Sequence, residues 1–183
     1  VAEAKRRGLN VSADVTAHHL HLCEHDLTSF NTNCHVLPPL RSKKDRDALR
    51  RAIKNGVITA ICSDHQPHEP DAKLAPFPES EPGISGLETL LSLTLRFADE
   101  DEIKLRDALA LLTSAPAEIL GIDAGHLGLG ATADVCIFDP KAKWIVDGAN
   151  WRSRGLNTPF LGQTLTGQVT HTMVGGKVVF EWK

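Results

Sequence analysis

The sequence predicts an α/β fold joined to a smaller β unit. Three observations carry this. Helical and strand signals alternate through residues 1–124. The run VITAIC (57–62) is apolar throughout, as a parallel strand covered on both faces requires. From about residue 125 the pattern changes to short strands separated by glycine turns. The expected division is therefore an α/β part at 1–124 and a β part at 125–183.

The elements follow in order. VAEAKRRG reads as the last turns of a helix, with Gly8 as the residue that ends it. The chain has no initiator methionine and opens within a helix, so it is expected to be the C-terminal part of a longer polypeptide. VSADV (11–15) reads as a strand, and HHLHLCEHDL (18–27) as a loop or irregular edge. A helix is expected from Ser42 to Asn55. Ser42 and Asp45 form a capping box, Ala48, Leu49, Ala52 and Ile53 make the apolar stripe, and Gly56 stops it. VITAIC follows. Residues 66–84 hold five prolines and form a loop too long to be a passive connection. Ser85 and Glu88 suggest a second capping box opening a helix at 86–98. Further helices are expected at 103–113 and from Pro116 to Gly121. The stripes Leu87, Leu90, Leu91, Leu95 and Leu105, Leu109, Leu112 read as core. GHLGLGATADVCIFDP, WIVDG, LTGQVTHTMVGG and KVVFEW supply the β part. Trp144, Trp151 and Trp182 read as packing residues.

Composition narrows the function. A net charge of −3 without basic or acidic blocks argues against nucleic acid or an anionic membrane as the main partner. No apolar run reaches 18 residues, so no transmembrane helix is expected. Cys23, Cys34, Cys62 and Cys136 form no CxxC pair and read as reduced thiols of a cytoplasmic protein.

The chemistry concentrates in SDHQPHE (63–69). Asp64 follows the apolar run, and the C-terminal end of a parallel strand is where α/β barrels place catalytic groups. A carboxylate there can hold a divalent metal or accept a proton from a metal-bound water. His65 and His68 lie on the following loop, suited to a metal or an anionic substrate. A surface loop with two solvated histidines is the competing reading. In an extended chain His19, His21, Cys23 and His25 would share one face. That spacing matches no standard zinc motif, and local hydrogen bonding is the expectation.

HVLPPLRSKKDRDALRRAI, AICSDHQPHE, EPGISGLETLL, GHLGLGATADVCIFDP, NTPFLGQTLTG and TMVGGKVV together resemble the dihydroorotases of the amidohydrolase superfamily, over essentially all 183 residues. The resemblance implies a (β/α)8 TIM barrel flanked by a small β-sandwich. This chain would supply the last two barrel strands, their helices and the C-terminal half of the sandwich. It also implies a reaction of pyrimidine biosynthesis, the interconversion of dihydroorotate and carbamoyl aspartate, in which zinc-bound hydroxide attacks the ring carbonyl. On that reading Asp64 contacts the metal and shuttles the proton, and His68 holds the substrate. The backbone of Gly83 approaches the ring, which glycine permits, and Pro82 stands beside it where an aromatic is common.

Three departures matter. The remaining metal ligands of the family come from earlier strands that this sequence lacks, and one aspartate does not hold a catalytic zinc. The family's Asn-Pro-Pro-Leu-Arg is here LPPLR, with Leu37 where an asparagine would bond the ring amide. The loss of such a contact costs on the order of 1–3 kcal/mol unless His35 or Arg41 compensates. Gln66 stands where the family usually has alanine. With Leu37, these changes resemble a non-catalytic branch, pseudo-dihydroorotases that serve as structural subunits for aspartate transcarbamoylase. An active dihydroorotase and such a scaffold are the two expectations. A hydantoinase or allantoinase is a third that fits the PPLR and EPG loops less well. The 183-residue chain alone is expected to be inactive and to pair with the missing segment or a second copy across its open edges.

Overall fold

The computed structural model describes residues 1–182. Helix α1 (Ala2–Arg6) is closed by Gly8 at φ +74°, whose N–H reaches the Lys5 carbonyl at 2.9 Å. This is the left-handed C-terminal stop that glycine adopts without steric cost. Strands β1 (Asp14–Thr16) and β2 (Ala60–Cys62) pair in parallel, with Asp14 opposite Ala60 and Thr16 opposite Cys62. Both are shorter than the sequence suggests, and β1 lies further along the chain than VSADV. Only three residues of each run find a ladder partner.

Between the strands runs helix α2 (Lys43–Lys54), as a parallel crossover requires. Its capping box is as expected. The Ser42 hydroxyl accepts from the Asp45 N–H at 3.2 Å, and the Asp45 carboxylate accepts from the Ser42 N–H at 3.2 Å. Val15 and Ile61, at the centres of β1 and β2, are buried with Leu20, Ile53, Ile58, Leu93 and Phe97 in one core. Asp14 is exposed and Thr16 and Cys62 are half-buried, but Ala60, opposite Asp14, is buried, so the polar side chains on that face belong to β1 while β2 is apolar on both.

Helices α3 (Leu90–Glu100), α4 (Leu105–Ala110) and α5 (Ser114–Leu120) follow. The expected capping box at Ser85 and Glu88 does not form. Helix α3 starts after Thr89, and the buried Ser85 hydroxyl has no partner. The Glu88 carboxylate instead accepts from the backbone N–H groups of Arg152 (2.7 Å) and Ser153 (2.8 Å) and from the Ser153 hydroxyl (2.7 Å). Those three donors outcompete one helix-end N–H. The leucine stripe of α3 also differs from expectation. Leu93 and Phe97 face the core, whereas Leu87 is exposed and Leu95 packs against Gly167. Leu105 is likewise exposed.

Strands β3 (Val135–Ile145), β4 (Thr164–Val174) and β5 (Lys177–Glu181) form an antiparallel sheet in sequence order. Helix α3 carries it: the Ser92 hydroxyl donates to the Gly167 carbonyl at 2.8 Å, and Trp144 Nε1 donates to Ser92 at 3.0 Å. Trp144 thus packs and bonds at the seam, as its amphipathic ring suits. Among the described residues no helix is long and apolar enough to cross a membrane.

Candidate functional site

The site lies beyond the C-terminal ends of β1 and β2. Asp64 lies two residues beyond the end of β2 and holds φ +43°, a left-handed conformation uncommon for a residue with a side chain. Its carboxylate accepts from the Gln66 carboxamide, Nε2 to Oδ1 at 2.9 Å. His65 turns away: its Nδ1 accepts from the N–H groups of Gly86 (3.1 Å) and Leu87 (3.3 Å). Both partners donate, so Nδ1 carries no proton, and burial holds the His65 pKa below its ordinary value.

His68 Nε2 lies 3.0 Å from the Pro82 carbonyl, which only accepts, so Nε2 carries the proton and Nδ1 is left as an acceptor. Gly83 sits beside it at φ +135°. A Cβ there would lie 2.6 Å from Gln66 Cβ and 3.1 Å from His68 Nε2, so only glycine fits. The structure therefore brings together Asp64, His68, Pro82 and Gly83, all expected at the site.

Leu37 stands on a separate loop, pinned on both sides. The His35 carbonyl accepts from the Gly83 N–H at 2.8 Å, and the Pro38 carbonyl accepts from His19 Nε2 at 3.1 Å. Between these anchors Leu37 is 63% exposed. Of the two expected substitutes, His35 has its Nδ1 committed to the Ser80 hydroxyl at 3.0 Å, and Arg41 lines a groove with His19, Asp45 and Arg46 at the start of α2.

Three residues without a predicted role hold this arrangement. Asn157, 5% exposed, donates through Nδ2 to the carbonyls of Gln66 (2.9 Å) and Gly83 (3.0 Å), and its Oδ1 accepts from the His68 N–H (2.8 Å). Gly155 lies against the His68 backbone. Lys73 is buried and donates to the carbonyls of Thr32 (3.2 Å) and Glu81, tying down the proline-rich loop. A polar residue in a turn sequence such as NTPF is the only hint the sequence offers.

The histidine-rich run is not extended. Short 3-10 turns at His18–Leu20 and Glu24–Leu27 scatter the expected face, and the rings of His19 and His21 find separate partners. His19 Nδ1 pairs with the Thr16 hydroxyl at 2.5 Å, and His21 Nε2 donates to the Leu93 carbonyl at 2.8 Å. Burial pushes the Cys62 thiol up to about 12, with the Asp14 carboxylate adding to it. Among the described residues no group of three or more metal-ligating side chains converges. Asp64 alone does not meet the roughly three protein ligands that a catalytic zinc needs, so the residues of this chain do not by themselves fit that metal.

Burial lowers His18 to about 3 and His21 to about 4, from an ordinary value of 6.5. Both folded values lie below the unfolded one, so the unfolded chain takes up protons first as pH falls. Stability is complete above about 6.5 and is lost toward the folded values, at about 1.4 kcal/mol per pH unit per histidine. Denaturant melts of the full-length gene product should show a loss of about 4 kcal/mol between pH 7 and pH 5. That loss should be roughly halved in a His21→Leu variant, and an unchanged loss would contradict the assignment.

These features, parallel strands with a carboxylate at their C-terminal ends and a flanking antiparallel sheet, agree with family membership. The chain belongs to the amidohydrolase family, whose model matches residues 2–179. It is 46% identical over 181 residues to a dihydroorotase-like protein of Pseudomonas aeruginosa and 48% identical over 178 residues to one of Pseudomonas putida. It is 42% identical over 181 residues to a dihydroorotase of Syntrophus aciditrophicus. These alignments cover 97–99% of this chain but only 42–43% of the relatives. The chain therefore spans well under half their length. The L-hydantoinase of Arthrobacter aurescens superimposes with a TM-score of 0.89 at 29% identity, over 98% of this chain and 41% of its own.

Proposed function

We propose that the chain belongs to a dihydroorotase homologue that keeps the outline of the catalytic site without turning over, and that serves as a structural partner of aspartate transcarbamoylase. Leu37 carries this reading. It is an exposed apolar side chain on the loop where the substrate's ring amide would need a polar partner, and leucine offers neither donor nor acceptor. The names of the two Pseudomonas relatives, dihydroorotase-like rather than dihydroorotase, support it. A cytoplasmic setting, in which the four unpaired thiols stay reduced, belongs to the same proposal.

The second reading is an active dihydroorotase interconverting dihydroorotate and carbamoyl aspartate. Asp64 at a strand end with His68 and Gly83 beside it favours this, as does the name of the Syntrophus relative. In that case a zinc would draw on Asp64 and on ligands outside this chain, and would supply an activated hydroxide when bound. Asp64 would move the proton, His68 would offer Nδ1 to the substrate, and Gly83 would let the ring lie against the backbone.

Co-purification of the tagged full-length gene product with the transcarbamoylase catalytic chain of the same cell tests the partner. A complex of fixed stoichiometry by analytical ultracentrifugation is the expected result. Two independently sedimenting species would refute the structural role.

A further inference from the structure

We propose that the Gln66 side chain is an internal occupant of the site, filling the space over Gly83 and tying up the Asp64 carboxylate. The inference rests on the non-catalytic reading above and deepens it. Gln66 is fixed at both backbone groups: its N–H donates to the Ile84 carbonyl at 2.9 Å, and its C=O accepts from Asn157 Nδ2 at 2.9 Å. Its Cβ and Oε1 lie 2.6 Å and 2.9 Å from where a Cβ of Gly83 would stand, so it packs directly on the open face of that glycine. Its Nε2 then reaches Asp64 Oδ1 at 2.9 Å. The carboxamide thus spans Asp64 and Gly83, the two residues that the proposed reading sets against the ligand.

The consequences are chemical as well as steric. A carboxylate oxygen that accepts an amide hydrogen bond has one lone pair fewer to offer a metal or a proton. The gap over Gly83, the one place where the missing side chain leaves room, is taken by a group that is itself a planar amide. A ligand must displace Gln66 and break its bond to Asp64 before it can touch either residue, which lowers its affinity.

The test is calorimetric titration of dihydroorotate into the full-length gene product and its Gln66→Ala and Gln66→Met variants. Each is also made with Leu37→Asn, so that the missing amide partner does not mask the effect. Alanine keeps the Cβ but removes the carboxamide, and with it both Oε1 over Gly83 and the donor to Asp64, whereas methionine removes the donor and keeps the bulk. Gln66→Ala is expected to tighten binding by about tenfold in at least one background, with Gln66→Met gaining less. Folded Gln66→Ala proteins that bind no more tightly than their parents in both backgrounds would overturn the occupancy. Turnover by the wild-type protein would instead refute the non-catalytic reading, and the affinity comparison would still decide whether Gln66 occupies the site.

Discussion

Asn157→Ala should lower the stability of the full-length gene product by about 3 kcal/mol, the largest effect expected of any polar substitution at the site. The side chain is nearly buried and makes three hydrogen bonds, to the carbonyls of Gln66 and Gly83 and from the N–H of His68. Alanine leaves all three backbone groups without a protein partner. Each such group costs about 1–3 kcal/mol when buried, and partial access of water to His68 keeps the sum near the lower bound. Asn157→Asp is the sharper probe. It keeps the shape and the acceptor for His68 but turns a carboxylate toward two carbonyls. It should destabilise at least as much as alanine in chemical denaturation. If aspartate behaves like wild type, the donated bonds contribute nothing.

Gly155→Ala should cost a comparable amount, about 3 kcal/mol, by overpacking rather than by lost bonds. A Cβ at Gly155 would fall 2.5 Å from both the N and the O of His68 and 2.8 Å from Asn157 Oδ1. Two of these contacts are backbone atoms, and the third belongs to the clamp itself, so nothing nearby gives way cheaply. Gly148→Ala is the control. Its Cβ would meet only Leu156 Cδ2 at 3.4 Å, an ordinary contact, and should change stability by less than about 0.5 kcal/mol. Equal melting midpoints for the two variants would contradict the packing described.

What the sequence made legible was local. The Ser42–Asp45 box, the glycine stop at Gly8 and the apolar centre of VITAIC need only near neighbours, and each formed as read. The position of Asp64 at a strand end was equally legible, because it depends on the strand alone. The Ser85–Glu88 pair had the same local signature as Ser42–Asp45 and failed. Glu88 found three donors more than 60 residues away, and no sequence window contains them. Asn157 was invisible for the same reason, reaching partners 74 to 91 residues away. Gln66 was legible as a departure from the family's alanine. Its bond to Asp64 depends on how Ile84 and Asn157 hold its backbone. The leucines of α3 misled because that helix has two apolar neighbours, the parallel strands and the antiparallel sheet, where one stripe suggested one core.

The central claim is that this site is kept in outline and does not catalyse. It is tested most directly by incubating the folded, full-length gene product with dihydroorotate and supplied zinc and measuring ring opening. The account predicts no turnover above the uncatalysed rate. Turnover that disappears in Asp64→Ala would contradict it, and would make the protein an enzyme whose Leu37 is compensated from elsewhere.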